Sequence, residues 1–139
     1  MKNTTKQFCH SLTASAFIFF LLFSFSSHAQ GTTDVMEARL CKSWGLVKIE
    51  DGTKTQVADE AQKEYRLVFN ADHTVQQGLA PDGFIPGTWT IDETGSTITI
   101  TDKTTKTSYK MKIIKITTDE LVLQQVDDSR TMIIYYKAS

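Results

Sequence analysis

Cysteine and histidine are scarce in this sequence, two and three among 139 residues. Cys9, His10 and His28 all precede residue 30, which leaves Cys41 and His73 for the rest of the chain. A single thiol forms no internal disulfide, so a domain built from that stretch stands on its own core. His73 falls in a turn, and Cys41, at the start of a strand, has no second histidine to make a dyad. No His, Cys or acidic cluster has the spacing of a metal site, and a Gly-rich phosphate loop is missing. The acidic pairs Asp92-Glu93 and Asp127-Asp128 fall in turns, where carboxylates are ordinary. With 15 Lys and Arg against 16 Asp and Glu, the chain also lacks the basic face that nucleic acid requires. These absences argue against an enzyme, a metal or cofactor protein and a nucleic-acid binder.

What is present begins with one apolar run, Ala14 to Phe25, rich in Phe and Leu and preceded by Lys2 and Lys6. Ser27 and Ala29 follow it as small residues two apart. A charged start, an apolar centre and a small-x-small site form a secretory leader, with the cut expected between Ala29 and Gln30. A membrane anchor is the competing reading, but an uninterrupted span needs about 20 apolar residues. Residues 1–29 are therefore expected to be a signal peptide and 30–139 a single periplasmic or secreted domain, with no membrane insertion after cleavage.

Beyond Leu40 the pattern is period two, with β-branched and aromatic residues between turn signals. It predicts strands at Lys42–Glu50 (A), Tyr65–Asn70 (B), Thr74–Gly78 (C), Gly87–Asp92 (D), Ser96–Thr101 (E), Thr107–Thr117 (F), Leu121–Val126 (G) and Arg130–Lys137 (H). Val57–Glu64, without Gly or Pro, predicts a short helix between the first two strands. Ala80-Pro81-Asp82-Gly83 has the composition of a turn. Eight sequential antiparallel strands lose their edges by closing, so the expected fold is an all-β up-and-down barrel, with a sandwich as competitor.

The order of several pieces resembles small secreted bacterial lipocalin-like proteins, which are calycin-type barrels. These pieces are Trp44 on strand A, the hairpin Phe69-Asn70-Ala71-Asp72-His73-Thr74-Val75, the stretch Gly87-Thr88-Trp89-Thr90-Ile91 and Leu121-Val122-Leu123. The lipocalin G-x-W on strand A reads Lys42-Ser43-Trp44 here, and a G-x-W lies on strand D instead. The resemblance implies a non-enzymatic barrel that carries a small ligand, with Trp44 packed across its closed end; alternation independently places Trp44 and Trp89 in the core.

Loop lengths suggest which end is open. The A–B, C–D and E–F connections read as long and share one rim, the expected mouth. Carrying the inward parity of Trp44, Phe69, Val75, Trp89, Ile98, Ile113 and Leu121 toward that rim gives Lys48, Tyr65, Gln77, Tyr109 and Gln125. Polar groups facing into a barrel need partners, and an eight-stranded barrel is just wide enough for side chains or one small ligand. Lys48, Tyr65, Gln77, Tyr109 and Gln125 are thus candidate contacts to a small hydrophobic or anionic amphiphilic ligand, with Lys48 set against an acid head group. Phe84, with Leu79 and Ile85, is a candidate lid. A filled barrel with a hydrated rim is the alternative. So is a protein-interaction module or homodimer using an outward patch of Ile114, Ile116, Val122, Ile133 and Tyr135, unless Val35, Met36 and Leu40 cover that patch.

Overall fold

The computed structural model describes residues 30–127 and 130–139; the expected leader and part of the Asp127–Ser129 turn lie outside them. The elements are α1 (Gln30–Leu40), β1 (Ser43–Asp51), β2 (Lys54–Val57), β3 (Tyr65–Phe69), β4 (Thr74–Leu79), β5 (Gly83–Ile91), β6 (Thr97–Asp102), β7 (Ser108–Ile116), β8 (Glu120–Val126) and β9 (Thr131–Ala138). Each strand pairs antiparallel with its neighbour, and β1 pairs again with β9. This closes an eight-stranded ring of β1 and β3 to β9, with β2 outside it as an extra strand on β1.

The barrel forms because alternation in every ring strand turns one apolar face inward. Trp44, Phe69, Val75, Trp89, Ile98, Ile100, Leu121 and Leu123 are all at most 1% exposed and form one cluster. At this core size the domain needs no disulfide, and Cys41 is free. Trp44 and Trp89 also satisfy their indole N–H groups, on the carbonyls of Leu40 at 2.9 Å and Asn70 at 3.1 Å. Phe69 meets Trp89 edge-on, with ring centroids 5.3 Å apart, and His73 lies against the same indole.

The segment between the first two ring strands differs from its expected helix. Asp51 pairs with Lys54, so Gly52-Thr53 is a two-residue hairpin loop with Gly at its first position, at φ +58°, and it sends Lys54–Val57 back along β1 as β2. Only Gln62–Glu64 is helical, as one 3-10 turn. Asp59 and Gln62 cap it reciprocally, each side chain accepting the other's backbone N–H. The turn stops there because Tyr65 already pairs with Leu79 in the sheet.

The longest helix among the described residues is α1, ahead of β1. It crosses the closed end rather than the outer face of the last strands: Thr33 donates to the carbonyl of Glu93, Met36 packs beside Gly95, and Leu40 is fully buried. Lys42 adds to the seal, with Nζ 5.2 Å from the Trp44 ring centroid and bonded to the Thr118 carbonyl. The opposite end carries the β1–β2 ribbon, the 3-10 turn and the β4–β5 and β6–β7 connections. The β4–β5 connection is tight rather than long, because β5 begins at Gly83, four residues before its expected start; the Ala80–Pro81 peptide in it is cis.

Two bulges interrupt the alternation. In β1 the pairing with β9 slips between Leu46 and Lys48, and in β7 the pairing with β8 slips between Ile113 and Lys115. A bulge places one surplus residue in one strand, so every side chain beyond it changes face. Ile116, expected outside, accordingly turns inward opposite Leu121 and packs on the core. Val122 keeps its outward position but is only 7% exposed, in a groove it lines with Lys115 and Tyr135. The apolar stripe expected on the outside is therefore interrupted.

Candidate functional site

A cavity of about 300 Å³ occupies the half of the barrel away from α1. Its lining is apolar at Leu67, Ile100, Met111, Leu123 and Ile134 and polar at Tyr65, Gln77, Tyr109 and Gln125 toward the mouth, while Tyr136, opposite Leu121, enters from the closed-end side of Ile134. The strands explain this division. Leu67 and Tyr65 are two apart on β3, Met111 and Tyr109 two apart on β7, and Leu123 and Gln125 two apart on β8. One face of each of these three strands thus runs from apolar at depth to polar near the mouth; on β9 the order is reversed, with Tyr136 deeper than Ile134. Four of the six sequence-predicted ligand contacts, Tyr65, Gln77, Tyr109 and Gln125, meet in this cavity.

Lys48 does not. The bulge at Val47 turns it outward, opposite Tyr135. Its ammonium lies 4.0 Å from the Tyr135 ring centroid and donates to Glu50 at 2.6 Å. Glu50 accepts a second bond from the Tyr135 hydroxyl at 2.9 Å. The three groups hold one another in their usual protonation states: Glu50 raises the pKa of Lys48 and Tyr135, and its own is lowered by Lys48 and then Tyr135. Phe84 is also elsewhere. It stands half-buried opposite Gly78 near the tip of the β4–β5 hairpin, and the inward positions of β5 are those of Gly87 and Trp89. Leu79 and Ile85 are 50% and 44% exposed strand residues, so the expected apolar lid is a hairpin.

Tyr136 is the site residue that alternation alone misses. Met132 to Tyr136 are apolar on both faces, so the outward position expected for Tyr135 rests on parity carried from the other strands and not on the pattern within β9. Pairing places Tyr136 inward: it sits opposite Leu46 and Leu121, both inward, and is only 6% exposed.

The polar wall carries no charge. Tyr109 donates to Gln77 Oε1, which leaves the Gln77 amide hydrogens free. No described residue hydrogen-bonds the Tyr136 hydroxyl, yet no buried polar side-chain atom among them is without a partner. That hydroxyl therefore reaches the open space of the cavity it lines. Burial pushes the Tyr136 phenol well above its ordinary pKa, with Tyr65 and Tyr109 adding to the effect. Burial likewise raises Tyr65 and pushes Tyr109 up to about 12, with smaller contributions from Tyr65 and Asp102. All three phenols remain protonated donors at neutral pH.

Other reactive groups are few. Burial, then Glu37 and Asp72, push the Cys41 thiol up, so it is a poor nucleophile. Among the described residues, no three His, Cys, Asp or Glu side chains are close enough to hold a metal ion, and no helix is long and apolar enough to cross a membrane.

A model of the lipocalin-like domain family matches residues 40–123. Among solved structures, a lipocalin-like protein from Bacteroides uniformis superposes with a TM-score of 0.56 at 10% identity, over 73% of this chain and 99% of that one. At that identity the likeness is one of fold. No curated protein matches the chain.

Proposed function

The chain belongs to the lipocalin-like domain family, and from that premise we propose that its barrel is a non-catalytic binding protein for one small, largely apolar molecule held in the cavity above Leu67 and Met111. The observation that carries this reading is the Tyr136 hydroxyl, almost buried, without a partner among the described residues and open to the cavity. A hydroxyl so placed is met only by what occupies the cavity, whether water or a ligand with an acceptor. A volume of about 300 Å³ takes on the order of ten non-hydrogen atoms, since a water occupies about 30 Å³ of liquid.

The protein purified from its own host should show a co-purified mass of that size by native mass spectrometry. Ile134→Phe, which fills the apolar part of the cavity, should abolish retention of that mass. Lys48→Met should leave it unchanged, because Lys48 faces the other side of the sheet. A chain that never retains a small molecule, and binds none in calorimetric titration, would end the reading.

The leader pattern at residues 1–29 supports work outside the cytoplasm. N-terminal sequencing of exported protein should begin at Gln30; mature protein that still begins at Met1 would contradict export.

A further inference from the structure

We propose that the cavity selects an uncharged, hydrogen-bond-accepting head group on its ligand, such as an amide or ester carbonyl, and rejects carboxylates, with the Tyr136 hydroxyl as the anchoring contact. This rests on the binding reading above and specifies the chemistry of that site.

Three observations carry it. First, the wall offers donors. The Tyr136 hydroxyl has no partner among the described residues, and Gln77 accepts from Tyr109 through its carbonyl oxygen, which leaves its N–H groups to donate. Second, no Lys or Arg among the described residues lines the site. Lys48 is outside and held by Glu50, and Arg66, on β3 beside Tyr65, bonds the carbonyls of Lys63 and Tyr65. Third, the ionised residue next to the lining is acidic: Asp102 ends β6 two residues beyond the cavity-lining Ile100, its carboxylate accepting from the N–H groups of Thr104 and Thr105. A carboxylate entering this cavity would lose its water and gain no counter-ion, a costly exchange in a low-dielectric site. An amide of the same length would lose little and satisfy Tyr136.

The titratable groups that line the cavity are Tyr65 from β3, Tyr109 from β7 and Tyr136 from β9, with Asp102 beyond the lining at the end of β6; β4 and β8 contribute the neutral Gln77 and Gln125. All three phenols are raised. Asp102 is lowered by the N–H groups of Thr105 and Thr104 and stays ionised. The wall therefore keeps one charge state through mildly acid and neutral pH. Any pH dependence of binding must come from the ligand, and an alkanoic acid should enter only in its protonated form.

The test titrates octanamide and octanoate, each close to the cavity's capacity, into the unmodified protein by calorimetry. Near pH 8, octanamide should bind about tenfold or more tightly than octanoate, the discrimination expected of one unpaired polar contact. Lowering the pH to about 5, toward the carboxylic pKa, should strengthen octanoate about tenfold or more and leave octanamide within about twofold. Tyr136→Phe, which keeps the ring, should weaken octanamide about five- to tenfold. If that variant fails to fold, the comparison of the two ligands on the unmodified protein still decides. Octanoate bound as tightly as octanamide near pH 8 would overturn the head-group inference and leave the binding reading standing. Undiminished octanamide binding by a folded Tyr136→Phe protein would remove Tyr136 as the anchor. Binding of neither ligand, with no co-purified mass, would remove both the inference and the reading beneath it.

Discussion

Replacing Trp44 by Ala is expected to lower the stability of the barrel by about 3–5 kcal/mol, the range for deleting a fully buried aromatic ring. Trp44 is 0% exposed. Its indole N–H holds the carbonyl of Leu40, where α1 ends, and its ring lies under the Lys42 ammonium. Truncation therefore opens a cavity at the closed end and releases the helix that covers it. Natural domains are stable by only about 5–15 kcal/mol, so much of the fold's margin rests on this side chain. Trp89→Ala should cost a similar amount, since Trp89 is 1% exposed and bonded to Asn70. Val57→Ala is the control: Val57 is 69% exposed on β2, and surface changes usually stay within about 0.5 kcal/mol. Urea unfolding reads all three, and a loss below about 0.5 kcal/mol for either tryptophan would contradict its place in the core.

Gly78→Ala is expected to be nearly as damaging, with a loss of about 3 kcal/mol or more from backbone strain and collision together. Gly78 has φ +137°, and an added Cβ would lie 2.1 Å from the carbonyl oxygen of Gly83, its neighbour across the β4–β5 hairpin. That contact is with backbone, so no rotamer relieves it; the two strands must part. Gln77, the residue before it, accepts the hydrogen bond of Tyr109, so the damage should reach the cavity wall as well as the hairpin. Gly45→Ala separates a general glycine effect from this one, because its Cβ would meet nothing nearer than 3.5 Å and its φ is not in the left-handed range. Equal urea midpoints for Gly78→Ala and the unmodified chain would show that the hairpin can open at no cost.

Alternation is legible wherever one face of a strand is buried, because the side-chain period is two. Trp44, Phe69, Val75, Trp89, Ile98 and Leu121 are inward for that reason, and the same parity takes Tyr65, Gln77, Tyr109 and Gln125 to the cavity wall. It fails where the backbone departs from period two. Lys48 leaves the site because Val47 is a bulge residue, and no side chain near it announces a slip in pairing that only β9 reveals. Tyr136 is hidden by the opposite problem, a strand apolar on both faces, which only its pairing with Leu46 and Leu121 resolves. Phe84 is misplaced because the hairpin continues past the turn residues that seemed to end it. The β1–β2 hairpin does carry a signal, Gly52 at the first position of its two-residue loop. For α1, whose segment has little amphipathic pattern, the anchors are tertiary: Leu40 in the core and Met36 against Gly95.

The bulges at Val47 and Ile114 also change what the loss of a residue does to this chain. In a regular strand, deleting one residue turns every side chain beyond it to the other face. Here the surplus residue is the one whose loss restores regularity. Without Ile114, the residues Ile113, Lys115 and Ile116 would alternate in, out and in, as they already do opposite Leu123, Val122 and Leu121. The same holds for Leu46, Lys48 and Ile49 without Val47, at the expense of the bond that the Val47 carbonyl accepts from Ala58. Chains of this kind can therefore differ in length within β1 and β7, and not only in their loops, without exchanging core for surface.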